Sequence, residues 1–149
     1  ESPEDYVRRL AVEKAIVQSA QDQIVIAADT IVLIDYSILG KPADQTQGLD
    51  MLMRLSGRSH QVMTGIALTG PGGLITQTVV STVRLKAFDR SFAERYWSTG
   101  EPKDKAGSYG VQGLGAVFVE HLEGSYSNVM GLPLFETAQM LETMGVRII

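Results

Sequence analysis

Apolar and polar positions along the 149 residues alternate between helical and extended spacing. Residues 1–20, ESPEDYVRRLAVEKAIVQSA, predict a first helix. Ser2 can cap it, Pro3 suits its first position, and Glu4 and Asp5 favour its positive end. Val7, Leu10, Ala11, Lys14, Val17 and Gln18 share one face at that spacing. The largely apolar run over residues 23–34 is continuous rather than alternating, which predicts a buried strand. Residues 34–42 turn the chain, and 43–57 predict a second helix with Asp44 near its start and Gly57 after its end. Residues 60–70 and 74–88, joined by Pro71, Gly72 and Gly73, read as a hairpin rich in β-branched residues. A third helix over 89–100 ends at Gly100, and a Gly-rich loop runs to Gly115. A strand over 116–124 and a last helix over 132–145 complete the chain, with Pro133 and Gly145 near the helix ends. Helices interleaved with strands predict one α/β domain with a mixed, twisted sheet and flanking helices.

Two charged residues sit where the pattern calls for apolar ones. Nine of the eleven residues in IVIAADTIVLI, 24–34, are apolar, yet Asp29 and Thr30 occupy its middle. An unpartnered charge is costly to bury, so something else must share the site. Asp29 is either a buried carboxylate bonded to an Arg or to backbone N–H groups, or a catalytic group. Lys14 interrupts the stripe of the first helix. It either snorkels past the stripe to water or points into a cleft and meets an anion. Lys41, in GKP at 40–42, reads as an ordinary turn lysine, although a hairpin would fold that turn back along the strand towards Asp29.

The segment 100–115, GEPKDKAGSYGVQGLG, holds five glycines with Lys103, Lys105 and Gln112 among them. Such a run either lets backbone N–H groups approach a ligand or forms a flexible surface loop. It fits neither the P-loop nor the dinucleotide pattern. His60 and His121 are isolated and read as structural. Arg8, Arg9, Arg54, Arg58 and Arg84 read as solvated faces, and Phe92, Tyr96 and Trp97 as a helix packed on the sheet.

Composition narrows the class. An apolar content of 44% and a charged content of 20% support a real core. No apolar run reaches the ~18 residues of a membrane span. There is no Cys, hence no disulfide or thiolate metal site, in keeping with a cytoplasmic protein. A net charge of −4 argues against a general nucleic-acid binder but leaves room for a small phosphorylated ligand.

In order along essentially the whole chain, YVRRLAVEKA, AADTIV, ILGKP, LSGRSHQVMTGIAL and GEPKDKAGSYGVQGLGAVFVEHLEGSYSNVMGLPL resemble the motifs of the Maf family of nucleotide pyrophosphatases. The resemblance implies an α/β fold with two lobes around a cleft, similar to inosine triphosphate pyrophosphatases. It implies metal-dependent hydrolysis of nucleoside triphosphates to the monophosphate and pyrophosphate, with Mg²⁺ or Mn²⁺. Under it Asp29 is the catalytic residue and metal ligand, and Lys14 and Lys41 are charge clamps on the phosphates. Thr30 and Gln112 determine the base, and Ser125 and Tyr126 are further substrate contacts. The pair Thr30 and Gln112 resembles the dTTP/UTP branch. The 7-methyl-GTP branch has Gln after the Asp and Glu in the Gly-rich segment. The alternatives are a pyrophosphatase for a modified nucleotide, or a non-catalytic nucleotide-binding or cell-division module. A homodimer is compatible with the resemblance. Family members begin with a segment like S-x-R-R and an acidic metal ligand upstream of Glu1, so the expectation is a single domain over 1–149 that lacks its first strand and helix.

Overall fold

The computed structural model describes residues 1–20 and 22–149. Helix α1, Pro3–Gln18, starts where the capping signals place it, with Ser2 Oγ accepting from the Asp5 amide at 3.1 Å. Its buried stripe differs from the face that the spacing predicts, gaining Ala15 and losing Val17. Val7, Ala11 and Ala15 are buried, whereas Val17 is 79% exposed. The i, i+4 spacing of small residues explains this, because two alanines and a valine let the helix axis come close to the strands.

Strand β1, Val25–Ile34, is buried only in its second half, at Ile31, Val32 and Ile34; its first half, which carries Asp29, is mostly half-buried. The segment read as a plain turn contains a short strand, β2, Ser37–Leu39, reached through Asp35 and Tyr36 at positive φ. That pair of left-handed residues is the two-residue hairpin geometry that ordinarily selects Asn-Gly, so the sequence signal was muted. Helix α2, Gln45–Leu55, is capped by Asp44. Strands β3, Ser59–Gly70, and β4, Gly73–Leu85, form the expected hairpin. Helix α3, Arg90–Ser98, follows the cap at Asp89. Strand β5 is shorter than predicted, Val119–Glu123, because Gly113–Phe118 is a 3₁₀ turn. A short helix not foreseen, α4, Tyr126–Met130, precedes α5, Leu134–Thr143.

The expected α/β class with helices flanking a sheet holds. The sheet has the order β2-β1-β3-β4-β5. Its strands run antiparallel, although interleaved helices had allowed parallel neighbours as well. Tight hairpins join β1 to β2 and β3 to β4, and such short connections permit only antiparallel pairing.

The chain divides into two compact units. The first comprises Glu1–Thr30, Met63–Val80 and Ser125–Ile149; the second comprises Ile31–Val62 and Ser81–Gly124. In the first, Ala11 and Ala15 of α1 pack on Ala67 with Ala27 alongside, while Ile66 and Leu68 pack on Met140 of α5. Residues 66 and 67 point to opposite faces of a strand, so α1 covers one face of these strand segments and α5 the other. In the second unit Phe118 is the centre of a ring cluster with Phe88, Phe92, Tyr96 and Tyr109. Trp97 of α3 lies directly over Gly48 of α2, where no side chain fits.

His60 begins β3 and is buried in the second unit, its Nε2 2.6 Å from the Tyr109 hydroxyl, while its Nδ1 has no hydrogen-bond partner. The structural reading of this residue is compatible with that setting. Burial pushes its pKa down from 6.5 to about 4. Between those values the unfolded chain takes up a proton and the native chain does not, so stability falls as pH drops through that window. The full loss is about 3 kcal/mol at 1.4 kcal/mol per pH unit. Denaturant titrations of the parent and of His60→Gln across this range test it: the variant is expected to show a flatter profile, and parallel profiles would refute the assignment.

Candidate functional site

Lys14 and Asp29 answer each other. The Lys14 ammonium ion-pairs with the Asp29 carboxylate and also lies 3.4 Å from the Ala28 carbonyl oxygen. The partner required beside a charge in an apolar strand is therefore this lysine. The lysine side chain is 55% exposed and the carboxylate 18%, so the pair opens to solvent from the lysine side. The pairing follows from how α1 packs on the strands. Lys14 lies one residue before the buried Ala15 on α1, and Asp29 lies two residues after Ala27 on the same strand face.

Thr30 faces the other way. Its hydroxyl lies 2.8 Å from that of Thr64 on β3 and 3.5 Å from the Gly131 carbonyl. Thr64, fully buried, in turn donates to the Asn128 carbonyl of α4 at 3.2 Å. Consecutive strand residues alternate faces, so Asp29 and Thr30 cannot line one pocket by pointing in the same direction. Ser125 caps α4, its Oγ accepting from the Asn128 amide at 3.1 Å, and Tyr126 is exposed. Thus Lys14, Asp29, Thr30 and Ser125 belong to the first unit, whereas Lys41 and Gln112 belong to the second.

In the second unit Lys41 is exposed beside the Gly-rich segment. The Gly107 amide donates to the Gly40 carbonyl at 3.1 Å. Lys105, and more weakly Lys41, hold the Asp104 carboxyl below its ordinary range. The segment 100–115 is not a floppy loop. It winds through 3₁₀ turns at Glu101–Asp104, Ala106–Ser108 and Gly113–Phe118 and buries Gly107 through Val111. Its organiser is Glu101, which the sequence reading passed over. The carboxylate accepts from the Leu114 and Gly115 amides, each at 2.8 Å, and from the Tyr96 hydroxyl. Tyr96 Oη also accepts from the Gly110 amide at 3.1 Å. Desolvation alone would raise the Glu101 pKa, but these hydrogen bonds outweigh it and hold the carboxyl below its ordinary value.

Asp29 is the lone acid proposed as a metal ligand. Among the described residues no three His, Cys, Asp or Glu side chains are grouped to hold a metal ion. A single carboxylate already faced by an ammonium does not fit a divalent ion retained by protein groups alone. No helix among the described residues is long and apolar enough to cross a membrane.

Three curated proteins illustrate what the chain is similar to. The dTTP/UTP pyrophosphatase of Alkalilimnicola ehrlichii is 51% identical over 154 residues, covering 98% of this chain and 76% of that protein. That of Methylobacillus flagellatus is 52% identical, covering 99% of this chain and 76% of its own length. That of Hahella chejuensis is 46% identical, with the same 99% and 76% covered. The model of the family described as Maf-like protein matches residues 1–144, and the chain belongs to that family.

Proposed function

We propose that this chain is a nucleoside triphosphate pyrophosphatase that releases pyrophosphate from dTTP and UTP. The observation that carries the reading is the Lys14–Asp29 pair, a base and a cation held side by side within a chain whose relatives bear that activity as their name. In the proposed reaction Asp29 takes a proton from the water that attacks the α-phosphorus. The bond from that phosphorus to the bridging oxygen breaks, and its electron pair leaves with pyrophosphate. Lys14 opposes the negative charge that grows on the phosphate oxygens, and Lys41 is a second phosphate contact. A Mg²⁺ or Mn²⁺ ion arriving with the triphosphate would supply further positive charge against the phosphate oxygens.

Gln112 is proposed to read the base. Its side chain is exposed, and its amide supplies both donor and acceptor, as the O4 and N3–H of uracil and thymine demand. Thr30 is proposed to act indirectly, because its hydroxyl is already engaged with Thr64.

The test is pyrophosphate release from dTTP, UTP, CTP, GTP and 7-methyl-GTP, on this chain and on a version extended by the amino-terminal segment of a relative. Release favouring dTTP and UTP is expected. Binding without release would favour a non-catalytic module, and release from the modified purine alone would favour the other branch. Gln112→Glu removes the N–H donor and is expected to cut the preference for dTTP and UTP over GTP by about tenfold. An unchanged ratio would take the role from Gln112.

A further inference from the structure

Gln112 sits at the top of a short arch whose two feet are tied by one device. At one foot the Gly110 amide donates to Tyr96 Oη at 3.1 Å. At the other the Leu114 and Gly115 amides donate to Glu101 at 2.8 Å. Tyr96 and Glu101 are joined through their own hydrogen bond, so both feet hang from one carboxylate–phenol pair. Tyr96 is itself fixed, because its ring is buried against Phe118 with centroids 4.7 Å apart. The arch is also tightly packed beneath. Lys105 runs its side chain under Gly110, where an added Cβ would lie 2.7 Å from Lys105 Cε.

The geometry points to Glu101 and Tyr96 as positioning residues for nucleotide selection: they hold the arch 110–115 so that Gln112 presents its amide in one orientation. This rests on Gln112 reading the base. Neither residue needs to touch the nucleotide. The carboxylate accepts three hydrogen bonds, and an amide at that position offers one acceptor oxygen in place of two. A pre-positioned side chain loses less conformational freedom on binding, so loosening the arch weakens nucleotide binding rather than the chemical step.

The experiment compares the parent, Gln112→Ala, Glu101→Gln and Tyr96→Phe in dTTP and UTP hydrolysis, together with amide hydrogen exchange at Leu114 and Gly115. Glu101→Gln and Tyr96→Phe are expected to raise KM for dTTP and UTP about tenfold, with kcat within about threefold, and to speed exchange at the arch. Tyr96→Phe keeps the ring on Phe118, so it carries the test if Glu101→Gln does not fold. If Gln112→Ala raises KM and the two arch variants do not, the positioning role is overturned and the reading of Gln112 stands. If Gln112→Ala leaves KM and base preference unchanged, that reading falls and the positioning role with it. Unaltered exchange at Leu114 and Gly115 in a folded Glu101→Gln also overturns it.

Discussion

Asp29→Asn is expected to lower pyrophosphate release by at least about a hundredfold while leaving the fold in place. The asparagine has the shape of the aspartate, so the strand and its packing are undisturbed. It cannot take a proton from water, and that loss falls on the reaction alone. Stability changes little because the ion pair opens to solvent on the Lys14 side, and such a pair contributes about 1 kcal/mol or less. The decisive measurement is kcat for dTTP set beside the unfolding midpoint of the same preparation. A folded variant with turnover within about threefold of the parent would remove Asp29 from the chemistry.

Gly65→Ala is expected to be the most damaging single methyl group in the first unit. A Cβ at Gly65 would lie 2.5 Å from the Val7 carbonyl oxygen and 2.9 Å from the Arg8 Cα, both on α1. Those are backbone atoms of a helix, so no side-chain rotation relieves the clash and α1 must move off β3. Overpacking of this kind costs about 3 kcal/mol, or roughly 10 °C in Tm for a chain of this length. Lys14 travels with α1, so its position against Asp29 shifts too. A displacement of about 1 Å at such a site can cost a hundredfold in rate. Gly72→Ala is the control, since a Cβ there has nothing within 4 Å, and it is expected to leave Tm and turnover near the parent's. Equal behaviour of the two variants in calorimetry and in the dTTP assay would show that α1 does not rest on β3 through Gly65.

Local signals made much of this architecture legible. Ser2, Asp44 and Asp89 cap the helices they were expected to cap or begin, because a capping side chain bonds an amide only three residues away. The hairpin of β3 and β4 followed from β-branched runs broken at Pro71–Gly73. Strand β2 was hidden because Asp35 and Tyr36 adopt left-handed turns without the residues that advertise them. Helix α4 was hidden because five residues carry too little periodicity to register.

The candidate site divides in the same way. The chain alone marked Asp29 and Lys14 as misplaced charges, since a solvation cost can be read from composition along one strand or one helix. That the two satisfy each other across fifteen positions is a fact of how α1 lies on the sheet. The alternation of a strand also turns Thr30 away from its neighbour Asp29, which adjacency in sequence obscured. Glu101 was invisible for a related reason. Its partners are the backbone amides of residues thirteen and fourteen positions further on, and a backbone N–H carries no letter in the sequence. What the chain decided by itself was therefore the local elements and the residues out of keeping with them. Only the tertiary structure decided which of those residues are partners, because hydrogen bonds and ion pairs act over about 3 Å in space whatever their separation along the chain.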